Sequence, residues 1–156
     1  MAATNIFVNF PTTDLERSKA FYEALGYRIN PNFTDENAAC VVLDDNLYFM
    51  VLTREFLGTF TDKEIIDPKT HAQMAVSLTC ESREAVDQMM TKALAAGGSE
   101  PREAQDYGFM YSRDLEDPDG NILGYLYMEP AAVEMGPEAY LAEQGAGAGA
   151  SGAVSS

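Results

Sequence analysis

Histidine is almost absent from this sequence of 156 residues, in which His71 is the single example. A structural zinc site needs four ligands, and no second histidine or other ligand is predicted beside His71. A metal or acid–base role stays open, but we interpret His71 as an exposed loop residue that precedes a strand. The motifs GxSxG, Walker A and HExxH do not occur either, and the GxGxxG match at residues 147–152 lies in a low-complexity tail.

Basic residues are scarce: 10 lysines and arginines face 25 acidic residues, for a net charge of -15. Three of the acids follow residue 130, where there are no bases, so residues 1–129 still carry a net charge of -12. This balance argues against nucleic acid and anionic membranes as partners. It permits a cationic or neutral ligand, although an acidic surface that only aids solubility is the simpler explanation.

Cysteines and long apolar runs are also few. Cys40 and Cys80 lie in apolar, strand-like stretches without a CxxC neighbour, so we expect two reduced thiols in a cytosolic protein. No apolar run approaches the roughly 20 residues of a membrane span, and the N-terminus lacks the apolar segment of a signal peptide. The sequence therefore predicts a cytoplasmic location and no membrane partner.

The first half, residues 4–56, is predicted to form a β-α-β-β-β module. The alternating stretch NIFVNF stops at Pro11, as a strand ending in a turn does. Thr13 or Asp14 can cap a helix that ends at Gly26. Three more strands follow in YRINPNF, AACVVLDD and NLYFMVLT, the last two joined by a hairpin at Asp44-Asp45-Asn46.

The second half, residues 71–129, repeats this order of elements. AQMAVSLTC is a strand, Ser82 caps a helix that stops at Gly97-Gly98, and further strands surround the turn DPDG. Residues 57–70 form a polar connector with a short helix predicted around Asp62–Ile66. Residues 130–156 are an extension, predicted to be disordered from about residue 145 because GAGAGASGAVSS cannot bury apolar area.

The two faces of the predicted strands differ in polarity. In the first strand Ile6, Val8 and Phe10 share an apolar face, whereas Phe7 and Asn9 share a mixed one. The fifth strand also has one apolar face and one mixed face. The mixed faces either curve around a shared concave cavity or are simply solvated, and alternation alone does not decide between the two.

Two tandem β-α-β-β-β modules, with DLERSKAFYEALGY after the first strand and DPDGN before the last, resemble the vicinal oxygen chelate superfamily. That superfamily includes glyoxalase I, bleomycin-resistance proteins, fosfomycin-modifying enzymes and extradiol dioxygenases. The resemblance covers about residues 5–129. It implies an α+β fold in which paired modules form a curved open barrel, within one chain or across a homodimer.

The resemblance also implies a divalent metal held by His, Glu or Gln from the first and last strands of each module. In this sequence those four positions fall on Phe7, near Met50, on Ala75 and on Gly124. Phenylalanine and alanine offer no lone pair, glycine offers only backbone, and a thioether suits Cu(I) rather than a hard divalent ion. Slipping by two residues recovers only the neutral amides of Asn9 and Gln73, so we expect no metal and no other cofactor.

The mixed faces indicate a mostly apolar pocket with isolated polar anchors, which suits a small molecule. A cavity filled by its own side chains is the alternative. Arg113 either pairs with a neighbouring acid such as Asp114 or Asp117, or turns inward to orient an anionic ligand. The predicted ligand-binding residues are Phe7, Asn9, Tyr48, Met50, Gln73, Arg113 and Gly124.

The sequence therefore favours a metal-free protein of the bleomycin-resistance type, which sequesters a cationic or aromatic compound as a homodimer. One alternative is a glyoxalase-like lyase or dioxygenase whose metal ligands are not evident in the sequence. A further alternative is a regulatory or structural dimer with a filled cleft. Whether a reaction is catalysed is left open, with the missing ligands favouring a binding protein.

Overall fold

The computed structural model describes residues 2–152, with side chains described as far as Gly145. The first module consists of β1 (Ile6–Thr12), α1 (Leu15–Ala24), β2 (Arg28–Asn30), β3 (Ala38–Asp44) and β4 (Leu47–Thr53), with a 3₁₀ turn at Pro31–Phe33 after β2. Its sheet has the order β1-β4-β3-β2, in which β1 and β4 are parallel and the other pairs antiparallel. The predicted β-α-β-β-β order is confirmed.

The second module repeats the first. After α2 (Arg54–Leu57) come β5 (Ala75–Thr79), α3 (Arg83–Ala95), β6 (Gln105–Asp106), β7 (Met110–Glu116) and β8 (Ile122–Met128). The sheet order β5-β8-β7-β6 corresponds strand for strand to that of the first sheet, again with one parallel pair, β5 and β8. The two sheets are separate and unclosed, so the predicted α+β fold of two open, paired modules is confirmed.

The helix within each module begins where the sequence predicts a cap. The Asp14 side chain accepts a hydrogen bond from the Arg17 amide at the start of α1, and Ser82 accepts one from the Ala85 amide at the start of α3. Each bond satisfies an amide that a first helical turn leaves without a partner. Gly26, with φ of +100°, ends the first helix in the left-handed conformation that favours glycine.

Two elements of the modules and the connector differ from the prediction. β1 continues through Pro11 to Thr12, because β1 is an edge strand, where a residue without an amide hydrogen is tolerated. The short helix expected around Asp62–Ile66 is wrong; the helix of this region is α2, at Arg54–Leu57, where the Thr53 side chain accepts from the Phe56 amide.

The C-terminal extension also departs from the sequence pattern. It forms α4 (Pro130–Met135) and α5 (Pro137–Gly152), whereas the sequence predicts disorder from about residue 145. Alanine, the best helix former, alternates with glycine there; the rest of that predicted segment, residues 153–156, lies outside the described residues. None of the helices described combines the length and apolar character that a membrane crossing requires.

A single core joins the modules. Helix α1 packs on its own sheet and on α3, which in turn packs on β7 and β8. The buried cluster draws on both modules and consists of Phe10, Leu15, Phe21, Tyr22, Leu25, Ala39, Val41, Phe49, Val51, Val86, Met90, Ala93, Leu115, Leu123 and Tyr125. The face of each sheet that contributes to this cluster is its core face, and the opposite face is called the open face below.

The turn DPDG fastens the second module to the first. Asp119 is buried, and its carboxylate accepts hydrogen bonds from Thr12 Oγ1, the Thr13 amide and hydroxyl, Arg17 Nη2 and Ser18 Oγ at 2.7–3.1 Å. These donors all belong to the end of β1 and the start of α1. The motif that carries the family resemblance thus connects the two modules, and the hydrogen bonds of Asp119 to residues 12–18 are called the clasp below.

The two aspartates of this turn have opposite pKa shifts. Burial works against ionisation of Asp119, but the hydrogen bonds from Thr13 and Thr12 and the charge of Arg17 outweigh it and lower its pKa. For Asp117, burial raises the pKa and prevails over the hydrogen bonds from Asn121 and from the Tyr22 hydroxyl, the latter 2.8 Å long. The charge of Asp119 therefore favours the folded state, whereas that of Asp117 opposes it.

Candidate functional site

The cavity that contains predicted site residues from both modules lies where the two modules meet, against the connector. It has a volume of about 410 Å³, within the range of small-molecule sites. The end of β1, the start of β8 and the residues before β5 contribute to it. Its walls are largely apolar and include Phe10, Leu57, Ile65, Ile66 and Ile122.

Two predicted anchors meet in this cavity. Asn9 and Gln73, from different modules, both line it, and both side chains are exposed. Their amides can each donate and accept hydrogen bonds. Because they are neutral and set among apolar walls, they suit the polar group of a small organic molecule.

The connector forms one wall of the cavity and is held by Arg54. The guanidinium of Arg54 donates from Nη1 to the Ile66 carbonyl at 2.9 Å and from Nη2 to the Ile65 carbonyl. These bonds fix the backbone of two cavity-lining isoleucines. The sequence interpretation of residues 57–70 as a polar connector missed this wall, although the apolar pair Ile65-Ile66 within a polar stretch indicated a buried surface.

Charged groups lie at the rim of the cavity. Lys63, Glu64 and His71 contribute to its lining and are exposed. His71 Nδ1 lies 2.8 Å from the Thr70 hydroxyl, in a loop before β5, as the sequence predicts. One lysine and one glutamate leave this rim without a strong preference for either sign of ligand charge.

Three other predicted residues lie on the open face of the first sheet but outside the cavity. Phe7 and Tyr48 are directly paired across β1 and β4, and their rings stack with centroids 4.6 Å apart and an interplanar angle of 11°. Met50 pairs with Asn9 in the same register. The open face of this sheet is therefore an apolar surface that continues from Asn9.

Gly124 lies on the open face of the second sheet. It pairs with Ser77 of β5 on one side and with Asp114 of β7 on the other. A Cβ atom at this glycine would lie 3.5 Å from Asp114 Oδ1 and 3.7 Å from Ser77 Oγ. Two oxygen-bearing side chains thus border the space that a β8 side chain would occupy.

Arg113 lies on the core face of the second sheet, whereas Gly124 lies on the open face of that sheet. It pairs across the sheet with Tyr125, a core residue. Its guanidinium binds Glu100 at 2.7 Å and Asp87 at 3.0 Å, and these bonds raise its pKa. The acid-pairing alternative describes this geometry, with Glu100 and Asp87 as partners where the sequence suggested Asp114 or Asp117.

The residues at the family's metal positions do not fit a divalent ion. Phe7 and Met50 lie on one open face and Ala75 and Gly124 on the other, and none of them carries a hard donor. In the part of the chain that the structure describes, there is no group of three or more His, Cys, Asp or Glu side chains able to hold a metal. No step of a metal-dependent reaction can be assigned to these residues.

Comparison with known proteins agrees with the fold. Residues 4–43 match the family described as bleomycin resistance protein-like N-terminal. No curated protein matches the chain. The match to the family model covers β1, α1, β2 and most of β3, and this part of the chain contains Asn9.

Several solved structures are similar over most of the chain. A hypothetical protein of S. aureus is 24% identical, with 81% of this chain and 95% of that chain covered and a TM-score of 0.70. A glyoxalase/bleomycin resistance protein/dioxygenase family enzyme of Burkholderia phytofirmans is 19% identical, with 78% and 96% covered and a TM-score of 0.64. A bleomycin resistance determinant encoded on transposon Tn5 is 20% identical, with 81% and 99% covered and a TM-score of 0.59.

These likenesses confirm the resemblance that the sequence motifs indicate. The chain has the glyoxalase/bleomycin-resistance fold of the vicinal oxygen chelate superfamily. At such identities the fold is what is shared, and the ligand and activity of this chain have to be argued from its own residues.

Proposed function

We propose that this chain is a metal-free small-molecule-binding protein that holds a cationic or aromatic compound in the cavity between its modules. The observation that carries the proposal is the meeting of Asn9 and Gln73 in an apolar cavity of about 410 Å³. Capture by sequestration needs affinity and abundance but no catalytic group. The net charge of -15 agrees with a cationic ligand.

The ligand's expected position follows from the cavity walls. An apolar or aromatic body packs against Phe10, Ile65 and Ile122, and its polar group bonds to the amides of Asn9 and Gln73. Burial of the apolar body supplies most of the affinity at about 25 cal/mol per Å². The amides fix its orientation, each neutral hydrogen bond contributing about 1 kcal/mol.

A panel of ligands tests the proposal. Bleomycin, cationic aromatic amines and aromatic acids are screened by thermal shift, and the hits are measured by calorimetry. A ligand at about 100 times its dissociation constant is expected to stabilise the protein by about 2.7 kcal/mol. Replacing both Asn9 and Gln73 by alanine is expected to weaken binding about thirtyfold, because two hydrogen bonds of about 1 kcal/mol each are lost.

Asn32→Ala is the matched control, because Asn32 is exposed on the 3₁₀ turn and does not line the cavity. It is expected to leave affinity unchanged. Absence of stabilisation by every compound would favour a dimer with a filled cleft. Stoichiometric Zn, Ni, Mn or Fe in protein purified without an affinity tag would instead support the glyoxalase-like or dioxygenase alternative.

We further propose that two copies of the chain form a homodimer through the start of β1, the edge strand of the first sheet, and the adjoining start of β4. Ile6 is 52% exposed and pairs with Leu47, which is 37% exposed. Phe7, also 52% exposed, is the next residue of β1 and lies on the opposite face, stacked on Tyr48. Exposed apolar side chains on an edge strand favour association with another chain.

Phe7→Asp is therefore expected to shift the chain from dimer to monomer in sedimentation equilibrium, since it places a charge among the exposed apolar side chains at the start of β1. Phe33→Asp is the control: Phe33 is 67% exposed but follows β2, at the other edge of the same sheet. A wild-type chain that remains monomeric at every concentration, or a Phe7→Asp variant that stays dimeric, would contradict this interface.

A further inference from the structure

We infer that the open face of the second sheet binds a cationic group of the ligand, through the Asp114 carboxylate and the Ser77 hydroxyl above Gly124. This inference rests on the proposed function, because it concerns a ligand whose body occupies the cavity between the modules. The part of the ligand that extends out of the cavity is expected to carry a primary ammonium or a similar cation.

The strand register brings the required groups together. β8 lies between β5 and β7, so Gly124 has Ser77 on one side and Asp114 on the other. Directly paired residues share a face of the sheet. Asp114 Oδ1 and Ser77 Oγ lie 3.5 and 3.7 Å from the point where a Cβ of residue 124 would be, so a ligand atom there meets both oxygens.

The same face leads directly into the cavity. Ile122 lines the cavity and lies two residues before Gly124 on β8, about 7 Å away along a strand. Gln73, just before the neighbouring strand β5, also lines the cavity, and Ala75 and Ser77 of β5 follow it two and four residues later. Their small side chains leave a path between the cavity and the Asp114 carboxylate.

The charges on this face favour a cation. Asp114 and Glu116 both lie on it, because they pair with Gly124 and Ile122. Arg102 donates to Asp114 Oδ2, whereas Asp114 Oδ1 and Ser77 Oγ accept no hydrogen bond from the described residues. One guanidinium against two carboxylates leaves a net negative charge, and Arg113 lies on the core face.

The ion pair between Arg102 and Asp114 does not prevent this role. The Arg102 side chain is mostly exposed, and exposed ion pairs contribute little to stability. A ligand cation can therefore approach Oδ1 while Arg102 remains on Oδ2, or displace it at small cost. Because Asp114 lies near Glu116, whose charge has no cation to balance it among the described residues of this face, the face attracts a cation and repels an anion.

Three probes of equal length test the assignment by NMR titration of the ¹⁵N-labelled full chain: 4-phenylbutylamine, 4-phenyl-1-butanol and 4-phenylbutyrate. The amine is expected to bind about tenfold more tightly than the alcohol, with the anion weakest, and to shift the amide signals of Ser77 and Gly124. Asp114→Asn is expected to reduce amine affinity to that of the alcohol while alcohol affinity is unchanged.

Glu103→Gln is the matched control, an exposed carboxylate in the loop next to Arg102, and it is expected to preserve the preference for the amine. Equal affinity of the amine and the alcohol for wild-type protein would overturn the cation site while leaving the proposed binding function in place. An amine preference that survives Asp114→Asn would also overturn it. Failure of all three probes to shift any cavity amide would remove both proposals.

Discussion

Asp119→Ala is expected to lower the free energy of unfolding by about 3–5 kcal/mol, because it removes four neutral hydrogen bonds of about 1 kcal/mol each and one from the partly exposed Arg17. The carboxylate is buried and accepts from Thr12, Thr13, Arg17 and Ser18. Without it, Arg17 loses its partner and the clasp between modules opens. Urea unfolding at fixed protein concentration measures the loss, which corresponds to a fall in Tm on the order of 10 °C.

The pH dependence of this loss gives a second readout. The folded pKa of Asp119 is lowered, so its contribution is fully present above the unfolded value of about 3.9 and is lost as the pH falls through the folded pKa. The difference between wild type and Asp119→Asn is therefore expected to be greatest at neutral pH. The difference narrows below about pH 4, because the unfolded wild-type chain then binds a proton at this carboxylate before the folded chain does.

The ionised Asp117 carboxylate, in contrast to that of Asp119, destabilises the folded state. Its folded pKa is raised, so the ionised carboxylate opposes folding at neutral pH, and that penalty is relieved as the pH falls through the folded pKa. Asp117→Asn is consequently expected to cost less stability than Asp119→Asn at pH 7. The comparison separates the charge of each aspartate from the geometry of the turn they share.

Asp106→Asn provides the control for both substitutions. Asp106 forms a surface ion pair with Arg83 at 2.8 Å, and such pairs contribute about 0–1 kcal/mol. If Asp119→Ala costs no more than Asp106→Asn, the turn is not a clasp. A loss for Asp119→Asn that is independent of pH between 3 and 7 would show that the ionised form is not what holds the modules together.

The order of the elements could be predicted because local patterns and local structure agree. Asp14 and Ser82 act as helix caps, and Gly26 ends a helix, as their sequence neighbours indicate. The connector was harder to predict, since the path of residues 57–74 depends on contacts beyond the next few residues, such as the bonds from Arg54 to the carbonyls of Ile65 and Ile66. Short-range patterns do not contain that information.

The candidate site could be predicted only in part. Alternation along β1 places Phe7 and Asn9 on the open face, and the structure brings Asn9 to Gln73 in the cavity. The register between strands decides the rest, and the sequence does not specify it: Gly124 faces Asp114 only because β7 and β8 pair as they do. Arg113 lies on the core face for the same reason, one residue away from Asp114.

Gly120→Ala is expected to lower the free energy of unfolding by about 2–5 kcal/mol, from about 1–2 kcal/mol of left-handed strain and 1–3 kcal/mol of overpacking. Gly120 has φ of +96°, and a Cβ there would lie 2.7 Å from the Lys69 amide nitrogen and 2.9 Å from its Cα. These are backbone atoms, so the connector itself has to move. Because Gly120 and Pro68 also line the cavity, the affinity for 4-phenyl-1-butanol is expected to fall severalfold in NMR titration.

Gly26→Ala separates the contribution of left-handed backbone strain from that of overpacking. Gly26 has a similar φ of +100°, but a Cβ there would meet nothing within 4 Å, so only the left-handed strain of about 1–2 kcal/mol applies. It lies far along the chain from the connector and does not line the cavity, so ligand affinity is expected to be unchanged. Equal losses of stability in the two variants, together with unchanged affinity in both, would mean that the connector yields freely at Lys69. In that case the close approach of the DPDG turn to the connector does not shape the cavity, and the wall formed by Ile65 and Ile66 would be held by Arg54 alone.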